Sequence, residues 1–297
     1  MNFKKSFIKF FTILIVITLT FFGCSTQTSQ NLSQKSKDNP QVQNPNILKI
    51  HYIDVGQGDC ILVQINNKNM LIDAGPAQNH SKIISYLKNQ DIKKIHYFIT
   101  THPHEDHIGG ASYVIDNFCI EAFYAPKKIS STKTYKKMIS SLRKKKLKIH
   151  VAKAGVSLNL GKNTICEMLS PNNSKYEDTN NYSPIMKLAY KNKNFIFTGD
   201  AEALSEQEVL SENYDISADV LKVGHHGSVS STSIDFLKNV NPKIAVISCG
   251  KNNKYGHPHK ETLSKLKGFN CKIYRTDLNG DILISSDGNN LKVKTSK

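Results

Sequence analysis

From Leu48 onward the chain is a series of short apolar runs punctuated by polar turns, and the period and length of each run decide its element. Leu48 to Asp54, Cys60 to Ile65 and Asn69 to Ile72 are short and β-rich, which predicts antiparallel strands. Gly56 and Gly58 permit the first reversal, and Asn66-Asn67-Lys68 predicts a hairpin turn before the third run. Ser81 to Asn89 places Ile83, Ile84 and Leu87 on one helical face, and the strand Ile95 to Thr100 follows. Further on, Ala111 to Phe118 predicts a helix, Ala122 to Tyr124 a short strand and Thr132 to Lys146 a basic helix. Strands at Ile165 to Leu169, Ile185 to Tyr190, Phe195 to Thr198, Val220 to Val223 and Ile244 to Ser248 come next, with helices at Glu202 to Leu210, Ser233 to Val240 and His259 to Lys267. Lys272 to Arg275 and Asp281 to Ser285 close the chain. Strand clusters interleaved with single helices predict two sheets covered by helices, a layered α/β sandwich.

The pattern changes before Leu48. Lys4, Lys5 and Lys9 precede the apolar run Phe10 to Phe22, then Gly23-Cys24, so residues 1–23 are expected to be a secretory signal peptide. The run has 13 residues, whereas a membrane-spanning helix needs about 20. A small residue before a cysteine resembles the lipobox of bacterial lipoproteins and implies a lipidated Cys24 that holds the protein on the extracytoplasmic face of the membrane. Plain secretion and an uncleaved anchor are the alternatives. Residues 24–46, rich in Ser, Gln, Asn and Thr, read as a flexible tether. Residues 47–297 are then one domain. A hydrophobic content of 39% against 22% charged residues allows a real core and excludes a disordered chain. Cys60, Cys119, Cys166, Cys249 and Cys271 are odd in number, most in apolar runs, and are expected to be buried free thiols. The net charge of +16 is concentrated, because Lys127 to Lys148 holds ten Lys or Arg and no acid. Such a run is either a solvated helix face or a patch for an anionic polymer or lipid headgroups.

Candidate chemistry follows the strands. Ile95 to Thr100 runs into His102, His104, Asp106 and His107; Phe195 to Thr198 into Asp200; Val220 to Val223 into His225 and His226; Ile244 to Ser248 on to His257. Ligands bind where strand ends converge on one crevice, so four strand ends can supply one site. Three imidazoles and a carboxylate within six positions, closed by Gly109-Gly110, point to metal binding. An extended His-x-His sends both rings to one side, and a turn then lets Asp106 and His107 face a second position.

These residues resemble a known family. Thr101-His-Pro-His-Glu-Asp-His-Ile-Gly-Gly110 is similar to the signature of the metallo-β-lactamase superfamily. Ile53-Asp-Val-Gly-Gln-Gly-Asp59, Leu71-Ile-Asp-Ala-Gly75, Phe197-Thr-Gly-Asp200, Leu221-Lys-Val-Gly-His-His-Gly-Ser228 and Tyr255-Gly-His-Pro258 narrow the resemblance to the hydrolase domain of ComEC-type competence proteins and free-standing relatives. It implies a four-layer αββα sandwich holding one or two divalent ions. In it His102 and His104 would ligate one metal, Asp106 and His107 the second, and Asp200 both. His225 is preferred to complete the second position, with His226 as the alternative. The further histidine expected between Leu169 and Asp200 is missing, leaving Asn181 and Ser183. Imidazole and carboxylate without thiolate suit zinc, and also manganese or iron, with zinc or manganese expected, and exclude the closed, cysteine-rich pattern of a structural zinc site. Asp106, His226, Tyr255 and His257 are the candidate catalytic residues, and Asp54, Asp59 and Asp73 are expected to orient ligand rings or form turns.

The resulting expectation is an extracytoplasmic, metal-dependent phosphodiesterase or nuclease that gathers a phosphodiester polymer, DNA or an anionic cell-wall polymer, through Lys127 to Lys148. Hydrolysis of a carbon ester, thioester, lactone or lactam on the same centre is one alternative. A non-catalytic surface receptor for such a polymer is the other.

Overall fold

Strands β1 (Leu48–Tyr52), β2 (Ile61–Ile65) and β3 (Lys68–Ile72) pair antiparallel in a computed structural model that describes residues 46–297. The expected signal peptide, Cys24 and all of the expected tether but Asn46 lie outside the described residues. Asn66 and Asn67 both take left-handed backbone, with φ of 52° and 58°, as a two-residue hairpin turn of type I′ requires.

Helix α1 (His80–Asn89) buries Ile83 and Leu87 and carries the chain over to β4 (Lys94–Ile99), parallel to β3. A one-turn helix, α2 (Glu105–Ile108), and α3 (Ala111–Asn117) lead to β5 (Cys119–Ala125). Then α4 (Lys133–Lys144), capped by Thr132 accepting from the Tyr135 amide, leads to β6 (Ile149–Val151). The second sheet begins as a meander, β7 (Thr164–Met168), β8 (Met186–Tyr190) and β9 (Lys193–Phe197). It continues in parallel through β10 (Val220–Lys222), β11 (Ile244–Ile247) and β12 (Lys272–Arg275). Helices α5 (Ala203–Ser211), α6 (Ile234–Val240) and α7 (Lys260–Gly268) make the crossovers that parallel pairing demands. After α8 (Thr276–Asn279) the chain returns to the first sheet as β13 (Ile282–Ser286) and β14 (Leu291–Thr295). The sheet orders are β14-β13-β1-β2-β3-β4-β5-β6 and β12-β11-β10-β9-β8-β7.

Three apolar clusters give the layers. Ile50, Val63, Met70, Leu188, Phe195 and Val246 fill the space between the sheets. Leu62, Phe98 and Phe123 pack under Ile83, Val114 and Leu142 of α1, α3 and α4. Ile196, Leu221 and Ala245 pack under Val209, Phe236 and Leu266 of α5, α6 and α7. The fold is thus the expected four-layer αββα sandwich. Two edge strands escaped the sequence pattern: β6 has only three residues, all exposed, and β14 alternates Lys with half-buried residues. Cys60, Cys166, Cys249 and Cys271 are buried free thiols, and Cys119 is exposed.

The turn after α2 has no room for a side chain: a Cβ on Gly110 would lie 2.2 Å from the Ala74 carbonyl oxygen. Gly110→Ala is expected to destabilise the fold by about 1–3 kcal/mol, read as a lower urea midpoint at constant m. Gly268 ends α7 with nothing within 4 Å of such an atom. Gly268→Ala is therefore expected to stabilise by about 0.5–1 kcal/mol.

Candidate metal centre

Parallel pairing within each sheet brings several strand ends to one place. After the end of β4 come Thr101, His102 and, in extended backbone, His104, and His102 Nε2 lies 2.9 Å from His104 Nδ1. The single turn of α2 then lifts Asp106 and the fully buried His107 toward the second sheet. From that sheet, β9 delivers Asp200 and β10 delivers His225 and His226. Both histidines have left-handed backbone, φ 46° and 54°, a conformation that costs a non-glycine residue about 1–3 kcal/mol and collects at functional sites.

The bend aims His226 inward. Its Nε2 lies 3.2 Å from His107 Nε2, 3.2 Å from Asp106 Oδ2 and 3.4 Å from Asp200 Oδ2. His107 Nε2 is 3.1 Å from Asp200 Oδ2. Ligand atoms about 2.0–2.1 Å from a tetrahedral ion stand roughly 3.3 Å apart, so Asp106, His107, Asp200 and His226 fit a divalent cation. Each offers an atom within 4.8 Å of the others. His102 and His104 flank this set, with His102 Nε2 3.8 Å from Asp200 Oδ2.

Charge balance supports the same fit. Burial penalises the Asp200 carboxylate, yet the His107 and His226 imidazoles outweigh it and hold its pKa well below the usual range. Asp106 is likewise held low, chiefly by His107 and His226 against the cost of its burial. Burial would lower both imidazoles, but Asp200, Asp73 and Asp106 hold His107 well above its ordinary value, and Asp200 with Asp106 brings His226 up to about 10. The carboxylates thus demand positive charge at this point. Asp200 Oδ1 is also buried without a hydrogen-bond partner, a costly state for a carboxylate oxygen that a cation relieves.

The rings are fixed from behind. Asp73 accepts from the Thr101 amide at 2.7 Å, the Thr101 hydroxyl at 2.7 Å and His107 Nδ1 at 2.8 Å, which leaves His107 Nε2 facing the cluster. His226 Nδ1 donates to the Ser248 carbonyl at 2.9 Å. Ser183 sits behind His102, its Oγ 3.2 Å from Nδ1, while Asn181 turns away to accept from the Glu202 amide and the Ser205 hydroxyl.

His225 stands apart from the four-residue set. Its Nε2 is 3.7 Å from Asp200 Oδ2, and its Nδ1 lies 3.2 Å from both Glu202 Oε1 and Ser230 Oγ. The geometry therefore groups His226, rather than the preferred His225, with Asp106, His107 and Asp200. Tyr255 and His257 form the far wall of an open cleft of about 740 Å³ above the centre, their rings stacked at 5.6 Å. Burial, then His226 and His225, lowers His257 to about 4, and its Nδ1 is buried without a partner.

Sequence reasoning missed Lys222. This fully buried lysine of β10 places Nζ 2.7 Å from Asp59 Oδ2, joining the second sheet to the β1–β2 loop of the first. Asp59 Oδ1 lies 3.5 Å from His226 Nδ1. The available signal was one lysine inside an otherwise apolar strand. Lys222→Met and Asp59→Asn each strand a buried charge and are expected to lower the melting temperature, while the double variant recovers it. Metal affinity is expected to fall by about 10–100-fold in the singles and to stay low in the double. Full recovery of affinity in the double would make the pair only a bolt between the sheets.

Comparison with known proteins bears on family and fold. The model of the metallo-beta-lactamase superfamily matches residues 53–251. ComE operon protein 3 of Bacillus subtilis (strain 168) is 34% identical over 252 residues, covering 79% of this chain and 32% of that protein. Competence protein ComA of Neisseria gonorrhoeae is 28% identical over 234 residues, covering 76% of this chain and 30% of that protein. The chain therefore spans about a third of the length of these relatives. The metallo-beta-lactamase fold protein YhfI of Bacillus subtilis superposes with a TM-score of 0.56 at 13% identity, over 81% of this chain and 99% of that one. By the family match and by the relative identical at a third of its positions, the chain belongs to the metallo-β-lactamase superfamily.

Proposed function

We propose that the protein is a metal-dependent phosphodiesterase acting on a phosphodiester polymer, with one or two divalent ions, zinc or manganese, at the centre. The observation that carries this is the convergence of Asp106, His107, Asp200 and His226 at the floor of an open cleft. One ion would be held by these four, and a second by His102, His104 and the other Asp200 oxygen. A bound divalent ion lowers the pKa of water enough to supply hydroxide near neutral pH and neutralises charge developing on a phosphoryl oxygen. Asp106 lines the cleft and would orient the attacking water. The Tyr255 hydroxyl and the His257 imidazole, which line the same cleft, would bind phosphoryl oxygens. The relatives named for competence direct the reading toward nucleic acid.

We also propose that Cys24 is lipidated and holds the enzyme on the extracytoplasmic face of the membrane, on the strength of Gly23-Cys24 closing the apolar run. Among the described residues no helix is long and apolar enough to cross a membrane. Wild type is expected in the membrane fraction and Cys24→Ala in the soluble fraction or medium. The same distribution for both would remove the anchor.

Metal analysis with bis-p-nitrophenyl phosphate as substrate tests the centre. Asp200→Ala is expected to lose metal from both positions, and His226→Ala from the four-residue one, each with diester hydrolysis down by several orders of magnitude. His225→Ala is expected to keep metal in the four-residue position. Wild-type protein that binds no divalent metal, or Asp200→Ala that hydrolyses the diester at the wild-type rate, sinks the enzymatic reading in favour of a surface receptor.

A further inference from the structure

The metal cleft does not end at His104. His104 and Glu105 also wall a second depression of about 390 Å³, bounded beyond them by Lys128, Ser130, Thr132 and Thr179. Lys128 is held in place, its Nζ 4.8 Å from the centre of the Tyr182 ring, so its charge stands at the rim in a defined direction. The acids nearby are already engaged: Glu105 accepts from the Ala77 amide at 2.8 Å and Asp178 from the Asn180 amide at 2.8 Å. Beyond Thr132 runs α4, whose 12 residues span about 18 Å. Lys133, Lys137 and Lys144 follow at i, i+4 and i+11, so they share one exposed side, opposite the buried Met138 and Leu142. At the other end of the cleft stands Tyr255, 51% exposed, and beside Lys128 stands Ile129, 84% exposed.

We infer that the depression at Lys128 is a substrate subsite for single-stranded nucleic acid, which leaves the metal cleft past Lys128 and continues along the basic side of α4. This rests on the phosphodiesterase reading above and adds the path of the chain. Cations spaced along a helix follow a phosphate backbone, and Tyr255, 51% exposed although its ring stacks on His257 and has Lys254 Nζ 5.0 Å from its centre, keeps aromatic surface for a base, while Ile129 adds an apolar contact. A polymer of alternating glycerol and phosphate has the charges but no rings, and would leave the aromatic surface of Tyr255 unused.

The test measures KM of the metal-loaded enzyme for bis-p-nitrophenyl phosphate, a tetranucleotide and a long oligodeoxynucleotide over a range of salt. In wild type KM is expected to fall as the oligonucleotide lengthens. Lys128→Gln is expected to raise KM for both oligonucleotides about tenfold more than for the small diester, as expected for one charge-assisted contact. It should also remove about 0.7 from the log–log salt slope. The triple variant Lys133→Gln/Lys137→Gln/Lys144→Gln is expected to raise KM for the long substrate more than for the tetranucleotide. Lys128→Gln that shifts all three KM values equally, or none, overturns the subsite. Preference for poly(glycerol phosphate) over the oligonucleotides overturns the nucleic-acid assignment. An enzyme that turns over no small diester fails at the earlier step, the function itself.

Discussion

Asp200 is the buried charge on which the site depends. It arrives from the second sheet, and the imidazole nearest it, His107, arrives from the first, so the energy of this contact is also the energy of holding the two sheets' edges together at that point. A carboxylate removed from water is costly unless it is paired and hydrogen-bonded. Here compensation comes from two imidazoles for one oxygen, and the other oxygen has no protein partner. A fold that only needed a cross-sheet contact would have no reason to bury that oxygen unpaired. A cation relieves both carboxylate oxygens at once, which makes metal binding and local folding two aspects of one electrostatic requirement.

The backbone around the centre is correspondingly tight. A Cβ on Gly58 would stand 2.2 Å from the Asp106 carbonyl oxygen, and the Asp59 amide donates to that same oxygen at 3.2 Å. The β1–β2 loop thus holds α2 from below through main chain alone. On the opposite side the left-handed backbone of His225 and His226 separates their duties. Consecutive residues in a strand would point to opposite faces, whereas here one ring enters the cluster and its neighbour is held at the rim by Glu202 and Ser230. Two adjacent histidines therefore do not act as a pair, and their different surroundings follow from one local bend.

Much of this was legible in the sequence, for a physical reason. Metal ligands delivered by strand ends sit at fixed offsets from apolar runs, so His102, His104, Asp106, His107 and Asp200 are marked by position as well as by type. What could not be read depends on φ and on contacts across the sheets. The order of His225 and His226 is decided by a left-handed turn that no periodicity encodes. Lys222 carried no such mark, because its partner Asp59 lies in the loop between two strands of the other sheet, 163 positions away in the chain. The short edge strand β6 buries no residue of its own and so leaves no alternating pattern to detect. Asn181 and Ser183, the positions left where a histidine was expected, divide in the same way: only the fold reveals that one supports His102 and the other supports α5.

The basic run shows why position outweighs net charge. At physiological salt the interaction between exposed charges fades over about 8 Å, and α4 is about twice that length. Lys128 and the start of α4 stand close enough to the cleft to act on whatever is bound there. Lys144, Lys145 and Lys146 do not, and no small substrate at the metal centre can sense them through the solvent. They become relevant only to a ligand long enough to occupy both places. A cluster of cations that begins at the rim of the cleft and leads away from it is therefore a feature of reach rather than of net charge, and the absence of any acid from Lys127 to Lys148 keeps it uninterrupted.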